Sequence, residues 1–325
     1  MKAVLCKEYG PPESLVLEDI PSPVPGPGEV VVSVKAASVN FPDVLIIQNK
    51  YQVKPPLPFS PGSEVAGVVK TVAADVTLVK PGDRVMAFTT FGGFAEEVKT
   101  EARHLLLVPS GMDFEIAAAF GLTYATSDHA LRDRGQLAAG ETLLVLGAAG
   151  GVGVAAIEIG KALGARVIAC ASTDDKLAVC RAHGADETIN YAEEDLRERV
   201  KALTGARGAD VVYDPVGGPY TEPALRSIAW RGRLLVVGFA AGDIPKIPLN
   251  LTLLKGCSIV GVYWGEFTRR EPERFAESMQ QLDRWYAEGK LKPHVSKTFP
   301  LERAAEALTL MANRDVKGKV VLIVG

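Results

Sequence analysis

Up to about residue 120 the apolar positions fall in short runs divided by proline and glycine. Glu29-Val-Val-Val-Ser-Val-Lys35, Glu64-Val-Ala-Gly-Val-Val-Lys70 and Asp83-Arg-Val-Met-Ala-Phe88 follow turn signals such as Pro27-Gly28 and Pro81-Gly82. Runs of this kind predict strands, so this stretch is expected to be an all-β module. From Glu141 onward apolar strands alternate with longer amphipathic segments. Strands are expected at 142–146, 166–169, 210–213, 233–237 and 258–262, and helices at 154–163 and 174–182. Gly164 and Gly184 stand just past the two helices, where a left-handed C-terminal cap is favoured. The alternation predicts βαβ units in a doubly wound parallel sheet. A tail with helices at 271–288 and 301–313 and a strand at 319–324 leaves that rhythm and is expected to return to the first module. The reading is an α/β chain with domains at 1–122 plus 266–325 and at 123–265.

The length of 325 residues suits two domains. A content of 47% hydrophobic and 23% charged residues excludes disordered and fibrous classes. A net charge of −3, with the signs interspersed, argues against nucleic acid or an anionic membrane surface as partner. Cys6, Cys170, Cys180 and Cys257 form no closely spaced pair, which argues against a disulfide framework or a zinc cluster and for the cytoplasm. The opening MKAVLCKEYG has neither an apolar core nor a cleavage site of a signal peptide. No apolar run approaches the ~20 residues of a membrane span.

Strand 142–146 runs into Gly147-Ala-Ala-Gly-Gly-Val-Gly153 and then a helix, the setting of a dinucleotide fingerprint. Gly150 admits a pyrophosphate to the backbone, Gly153 permits close helix packing, and the helix N-terminus beyond the loop supplies free N–H groups; Gly151 and Val152 are cofactor candidates as part of the same loop. The motif departs from the usual pattern at Ala148. NAD-selective versions carry an acid at the tip of the second strand, whereas this strand ends Ala169-Cys-Ala-Ser172. The hydroxyls of Ser172 and Thr173 and the charge of Lys176 point instead to a 2′-phosphate and hence to NADPH. Asp174 and Asp175 are expected in the first turn of the next helix, where carboxylates are favoured.

The chain resembles the medium-chain dehydrogenase/reductase superfamily, specifically its zinc-free quinone oxidoreductase branch, the group that includes zeta-crystallin. The resemblance spans the chain and is carried by Ala36-Ala-Ser-Val-Asn-Phe-Pro-Asp43, Tyr51, Pro58-Phe-Ser-Pro-Gly-Ser-Glu-Val-Ala-Gly67, Gly121-Leu-Thr-Tyr-Ala-Thr126, the fingerprint, Asp214-Pro-Val-Gly-Gly218 and Gly318-Lys-Val-Val-Leu322. It implies a GroES-like, mainly-β catalytic domain, a Rossmann cofactor domain with the active-site cleft between them, and dimerisation through the cofactor-domain sheets. Zinc enzymes of the superfamily have a Gly-His-Glu segment, and this chain reads Gly62-Ser63-Glu64. The resemblance places Asn40, Asp43 and Tyr51 near the cleft and Thr126 near the nicotinamide. It places Ser172, Lys176, Tyr191, Gly238, Phe239 and Trp264 along the cofactor. Tyr51 is the candidate proton donor, with a positioning role as the alternative; Asp43 is expected to bond backbone or hold Tyr51. Glu64 is expected to be a buried structural acid tied to backbone or an arginine. The implied reaction is hydride transfer from NADPH to a quinone or conjugated carbonyl. The alternatives are reduction of a 2-enoyl thioester and, in another class, a non-catalytic NADPH-binding protein. A homodimer is expected through the edge strand at 258–262, whose apolar residues are Ile259, Val260 and Val262.

Overall fold

The structure, a computed structural model, describes residues 1–325. In chain order it begins with β1 (Lys2–Leu5), β2 (Val16–Asp19), β3 (Glu29–Val39), α1 (Phe41–Ile47), β4 (Glu64–Val72), β5 (Arg84–Phe88), β6 (Glu97–Glu101) and β7 (Leu105–Leu107). The middle holds α2 (Phe114–Asp128), β8 (Thr142–Val145), α3 (Gly151–Ala162), β9 (Arg166–Ala171), α4 (Asp174–Ala182), β10 (Glu187–Asn190), α5 (Leu196–Leu203) and β11 (Ala209–Asp214). After these come α6 (Thr221–Arg226), β12 (Ile228–Val236), α7 (Asn250–Lys255), β13 (Ser258–Gly261), α8 (Trp264–Arg270) and α9 (Pro272–Ala287). The chain closes with β14 (Val295–Pro300), α10 (Ala304–Ala312) and β15 (Lys319–Ile323).

The elements group into two units, Met1–Leu122 with His294–Gly325, and Thr123–Pro293. In the first, the sheet runs β14-β15-β3-β4-β5-β7, and β6 also pairs with β3. The tail does return here, because β15 lies antiparallel to β3 with Val320 opposite Val39. Val30, Val32 and Val34 of β3 pack with Val65 and Val69 of β4 and with Leu322 of β15 in the core.

Two expectations differ from this unit. The module is not all β, since α1 interrupts the strands. The segment Asn40-Phe-Pro-Asp43 carries a helix start: Pro42 sits in the first turn, and Asp43 Oδ2 accepts the Asn40 N–H at 2.8 Å. The second crossing of the chain falls at 293/294 rather than 265/266. The amphipathic helix α9 buries Ser278, Met279, Leu282 and Trp285. Its Ser278 hydroxyl donates to Asp128 Oδ2 at 2.5 Å, and the following Lys292 N–H donates to Glu158 on α3 at 2.9 Å. Where an amphipathic helix docks is set by partners of its buried face, which strand–helix alternation does not disclose.

The second unit is a Rossmann sheet in which every pairing is parallel, with order β10-β9-β8-β11-β12-β13. Parallel strands covered on both faces read as continuous apolar runs, and all four residues of β8 are buried. Gly164 and Gly184 adopt φ of +81° and +98° beyond α3 and α4, as the capping pattern predicts. β10, not expected from sequence, adds an edge strand at one side, and β13 forms the other edge. The strand order reverses between β8 and β11, so loops leave in opposite directions and open a crevice at the strand C-termini. No helix is long and apolar enough to cross a membrane. All four cysteines are free thiols. Burial raises the thiol pKa of Cys170 well above the ordinary value and that of Cys180 to about 12, so neither is suited to act as a nucleophile at neutral pH.

Candidate active site

The cofactor candidates of the second unit follow the C-terminal ends of successive strands. Gly147 leaves β8 with φ of +56°, and Gly150 is the N-cap of α3. No side chain caps this helix, so the first-turn N–H groups of Gly151, Val152 and Gly153 are presented to whatever lies before them. A Cβ on Gly150 would meet only the Gly147 carbonyl oxygen, at 3.4 Å. At Gly153 a Cβ would stand 2.5 Å from that same oxygen and 2.6 Å from Ala148 backbone, so α3 packs on the turn only because residue 153 has no side chain. These features suit a pyrophosphate.

At the next strand end, the Lys176 ammonium lies 3.5 Å from the Ser172 hydroxyl. Thr173 is the N-cap of α4, and its oxygen accepts the Lys176 N–H at 3.3 Å. Asp174 and Asp175 occupy the exposed first turn, as expected. The register pairs Asn190 of β10 with Ala171 of β9, which sets Tyr191 beside Ser172. Tyr191 packs against Tyr220 with ring centroids 4.3 Å apart and the planes tilted by 39°. A hollow of about 600 Å³ opens beside these two rings, lined by Glu194, Asp195 and Glu222 as well as Arg226 and Lys246; Ser172 and Lys176 are not among its lining residues.

Gly238 and Phe239 follow β12. The Gly238 N–H reaches Asp214 O at 3.3 Å, and Phe239 lies over Gly217 in the loop after β11. Asp214 shapes that loop: its Oδ1 accepts the N–H groups of Val216 and Gly217, and its Oδ2 the Thr221 hydroxyl at 2.6 Å. Trp264 opens α8 beyond β13 and packs edge-on against Phe275 at 5.9 Å. Thr126 is half-buried on α2, next to Ser127, whose hydroxyl donates to Val152 O.

In the first unit, Asn40 and Asp43 come together in a buried polar cluster with Ser38, Ser63, Glu64 and Lys319. Glu64 is fully buried, and its Oε1 accepts the Leu122 N–H at 2.7 Å while Oε2 accepts the Ser38 hydroxyl at 2.5 Å. Its charged partner is Lys319, at 3.5 Å, and not an arginine. Burial dominates the titration of Asp43 and pushes its pKa up to about 7, against the Asn40 N–H bond and the charge of Lys319. Asp43 Oδ1 and the Ser63 hydroxyl are buried without a partner of full hydrogen-bond geometry, although the Ser63 hydroxyl is near enough to lower the Asp43 pKa. Tyr51 lies four residues past the end of α1, half-buried against the core of this unit.

The raised pKa of Asp43 has a consequence for stability. Between pH 4 and about 7 the unfolded chain releases a proton that the folded chain keeps. Stability therefore falls as pH rises through that window, by up to about 1.4 kcal/mol per pH unit, and levels off above it. Asp43→Asn keeps an acceptor for the Asn40 N–H and removes the titration. Denaturant midpoints of the variant relative to wild type are expected to improve from pH 4.5 to 7.5; parallel pH profiles would contradict this.

Sequence reasoning missed Lys319, Ser38 and Ser63 as members of the cluster. The available signal was a charge heading the apolar run Lys319-Val-Val-Leu-Ile323, which is unusual for a strand interior.

Residues 26–110 match the alcohol dehydrogenase GroES-like domain, and residues 151–284 match the zinc-binding dehydrogenase family. These matches, with the fingerprint on a parallel sheet, define a medium-chain dehydrogenase/reductase. Quinone oxidoreductase-like protein 2 of Bos taurus is 40% identical over 323 residues, covering 99% of this chain and 92% of the relative. The Escherichia coli quinone oxidoreductase, solved as a complex with NADPH, has a TM-score of 0.93 at 31% identity, covering 99% of this chain and 100% of that one. The CurK enoyl reductase has a TM-score of 0.90 at 25% identity, covering 100% and 99%. The chain belongs to the quinone oxidoreductase family of the medium-chain superfamily.

Proposed function

We propose that this protein is an NADPH-dependent quinone oxidoreductase, which reduces a quinone or related conjugated carbonyl without zinc. The observation that carries the cofactor is Lys176 beside Ser172 at a strand tip that bears no acid. The E. coli relative crystallised with NADPH supports it. Bound NADPH supplies a hydride. First-turn N–H groups of Gly151, Val152 and Gly153 hold the pyrophosphate; Ser172, Thr173, Lys176 and Tyr191 hold the 2′-phosphate and ribose. Thr126, Gly238, Phe239 and Trp264 serve the nicotinamide half. Tyr51 donates a proton to the reduced substrate, and Asn40 and Asp43 support the reacting end. Ser63 stands where a zinc enzyme needs an imidazole ligand, so polarisation of the substrate falls to neutral hydrogen-bond donors.

Steady-state NADPH oxidation by chelator-treated protein, with 1,4-benzoquinone, 9,10-phenanthrenequinone and crotonyl-CoA side by side, tests the reading. Quinone turnover without crotonyl-CoA reduction is expected. The reverse would establish the 2-enoyl thioester reductase reading, which the CurK likeness favours. Tight NADPH binding with no acceptor reduced would establish a non-catalytic binding protein.

Lys176→Ala is expected to lower the NADPH-over-NADH preference in kcat/KM by about tenfold to a hundredfold. A hydrogen bond to a charged group is worth about 1.5–3 kcal/mol, and about 1.4 kcal/mol is a factor of ten. An unchanged preference would remove Lys176 from the phosphate site.

The edge strand β13, with Ile259 39% exposed, supports a homodimer by strand pairing across a two-fold axis. Sedimentation at micromolar concentration would exclude it by showing a monomer.

A further inference from the structure

Lys319 is 3% exposed, yet it is a charged residue at the head of a core strand. Its ammonium donates to Asn40 Oδ1 at 2.6 Å and lies 3.5 Å from Glu64 Oε2. At the other end of the same carboxamide, Asn40 Nδ2 donates to the Ser38 hydroxyl oxygen at 3.0 Å and to Glu64 Oε2 at 3.3 Å. The Ser38 hydroxyl spends its own proton on Glu64, so only its lone pairs face Asn40. An ammonium has donors and no acceptor, and an ionised carboxylate the reverse. A flipped carboxamide would set NH₂ against the ammonium and oxygen against the carboxylate, repulsive at both ends and buried. Asn40 is therefore held in one orientation by a charge on each side.

The cluster also fixes where α1 begins, because Asn40 is the residue that opens it. The chain leaving α1 is tied to the helix, with the N–H groups of Gln48 and Lys50 both on Leu45 O. Tyr51 follows directly. Apolar residues of similar volume generally replace a buried ion pair at little or no cost in stability, so stability alone gives weak reason for a lysine here.

We propose that Lys319 is a positioning residue for the reduction, acting through Asn40 to hold its carboxamide and the α1–Tyr51 segment in the reactive arrangement. The proposal rests on the reductase reading above. Lys319→Met, Asn40→Ala and their double variant are assayed for quinone reduction, with NADPH affinity read by nicotinamide fluorescence. Lys319→Met is expected to lower kcat about tenfold and leave the NADPH dissociation constant within about twofold. The double variant is expected to lose no more kcat than Asn40→Ala alone, because two residues acting as one do not add. Glu64→Gln/Lys319→Met, which removes the ammonium and its carboxylate partner together, guards against a folding defect. It is expected to melt near wild type and still show the kcat loss. Recovery of kcat with stability, additive losses with Asn40→Ala, or an equal fall in NADPH affinity would each overturn the proposal. An active wild type whose Lys319→Met variant is unaffected overturns this proposal alone. A wild type that reduces no acceptor overturns the reductase reading and this proposal with it.

Discussion

Gly153→Val is expected to weaken NADPH binding by more than about a hundredfold, the largest effect of any single change considered. The added Cβ would meet backbone, 2.5 Å from Gly147 O and 2.6 Å from Ala148, and backbone cannot rotate away as a side-chain end does. The helix must therefore lift from the turn. Its first-turn N–H groups then lose their aim, and with it the favourable end of the helix dipole at the pyrophosphate. Overpacking of this kind costs about 1–3 kcal/mol, which a domain of this size survives, so binding and folding are separable. Fluorescence titration with NADPH beside a thermal melt makes the measurement. Binding within threefold of wild type, in a folded variant, would place the cofactor elsewhere. The smaller Gly153→Ala is expected to fall in between, since the same contacts are made without the branched methyls.

Tyr51→Phe is expected to lower kcat for quinone reduction by about a hundredfold while leaving NADPH affinity within about twofold. General acid catalysis contributes about 10²–10⁴-fold, and the lower end applies where water replaces the phenol as proton source. The ring is kept, so its packing against the core of the first unit is unchanged. Loss of packing would show as a lower melting temperature, and loss of a positioning contact as a raised KM with kcat retained. A fall in kcat alone identifies the proton donor. A kcat within twofold of wild type would leave Tyr51 as a positioning residue, the other role its place in the sequence allows.

Much of this protein follows from local pattern. Alternating short strands and helices around Gly147-Ala-Ala-Gly-Gly-Val-Gly153 predict the parallel sheet, since periodicity and turn chemistry act between near neighbours in the chain. The absence of an acid after Ala169-Cys-Ala-Ser172, and the place of Asp174 and Asp175 in the first turn of the following helix, were also legible there. The helix α1 was written in Asn40-Phe-Pro-Asp43, though the surrounding strand pattern concealed it. Other features depend on residues far apart in sequence and were decided only by tertiary structure. The docking of α9 needed the positions of Asp128 and Glu158, 150 and 134 residues from their partners Ser278 and Lys292. Glu64 was expected to be tied to backbone or an arginine; it does accept the Leu122 N–H, but its charged partner is Lys319, brought across 255 residues by the pairing of β15 with β3. Burial is likewise a property of the folded sheet. It raises the pKa of Asp43 to about 7 and sets Asn40 between an ammonium and a carboxylate. A sequence records which groups are present, but the dielectric around them and the charges that face them exist only once the strands have paired.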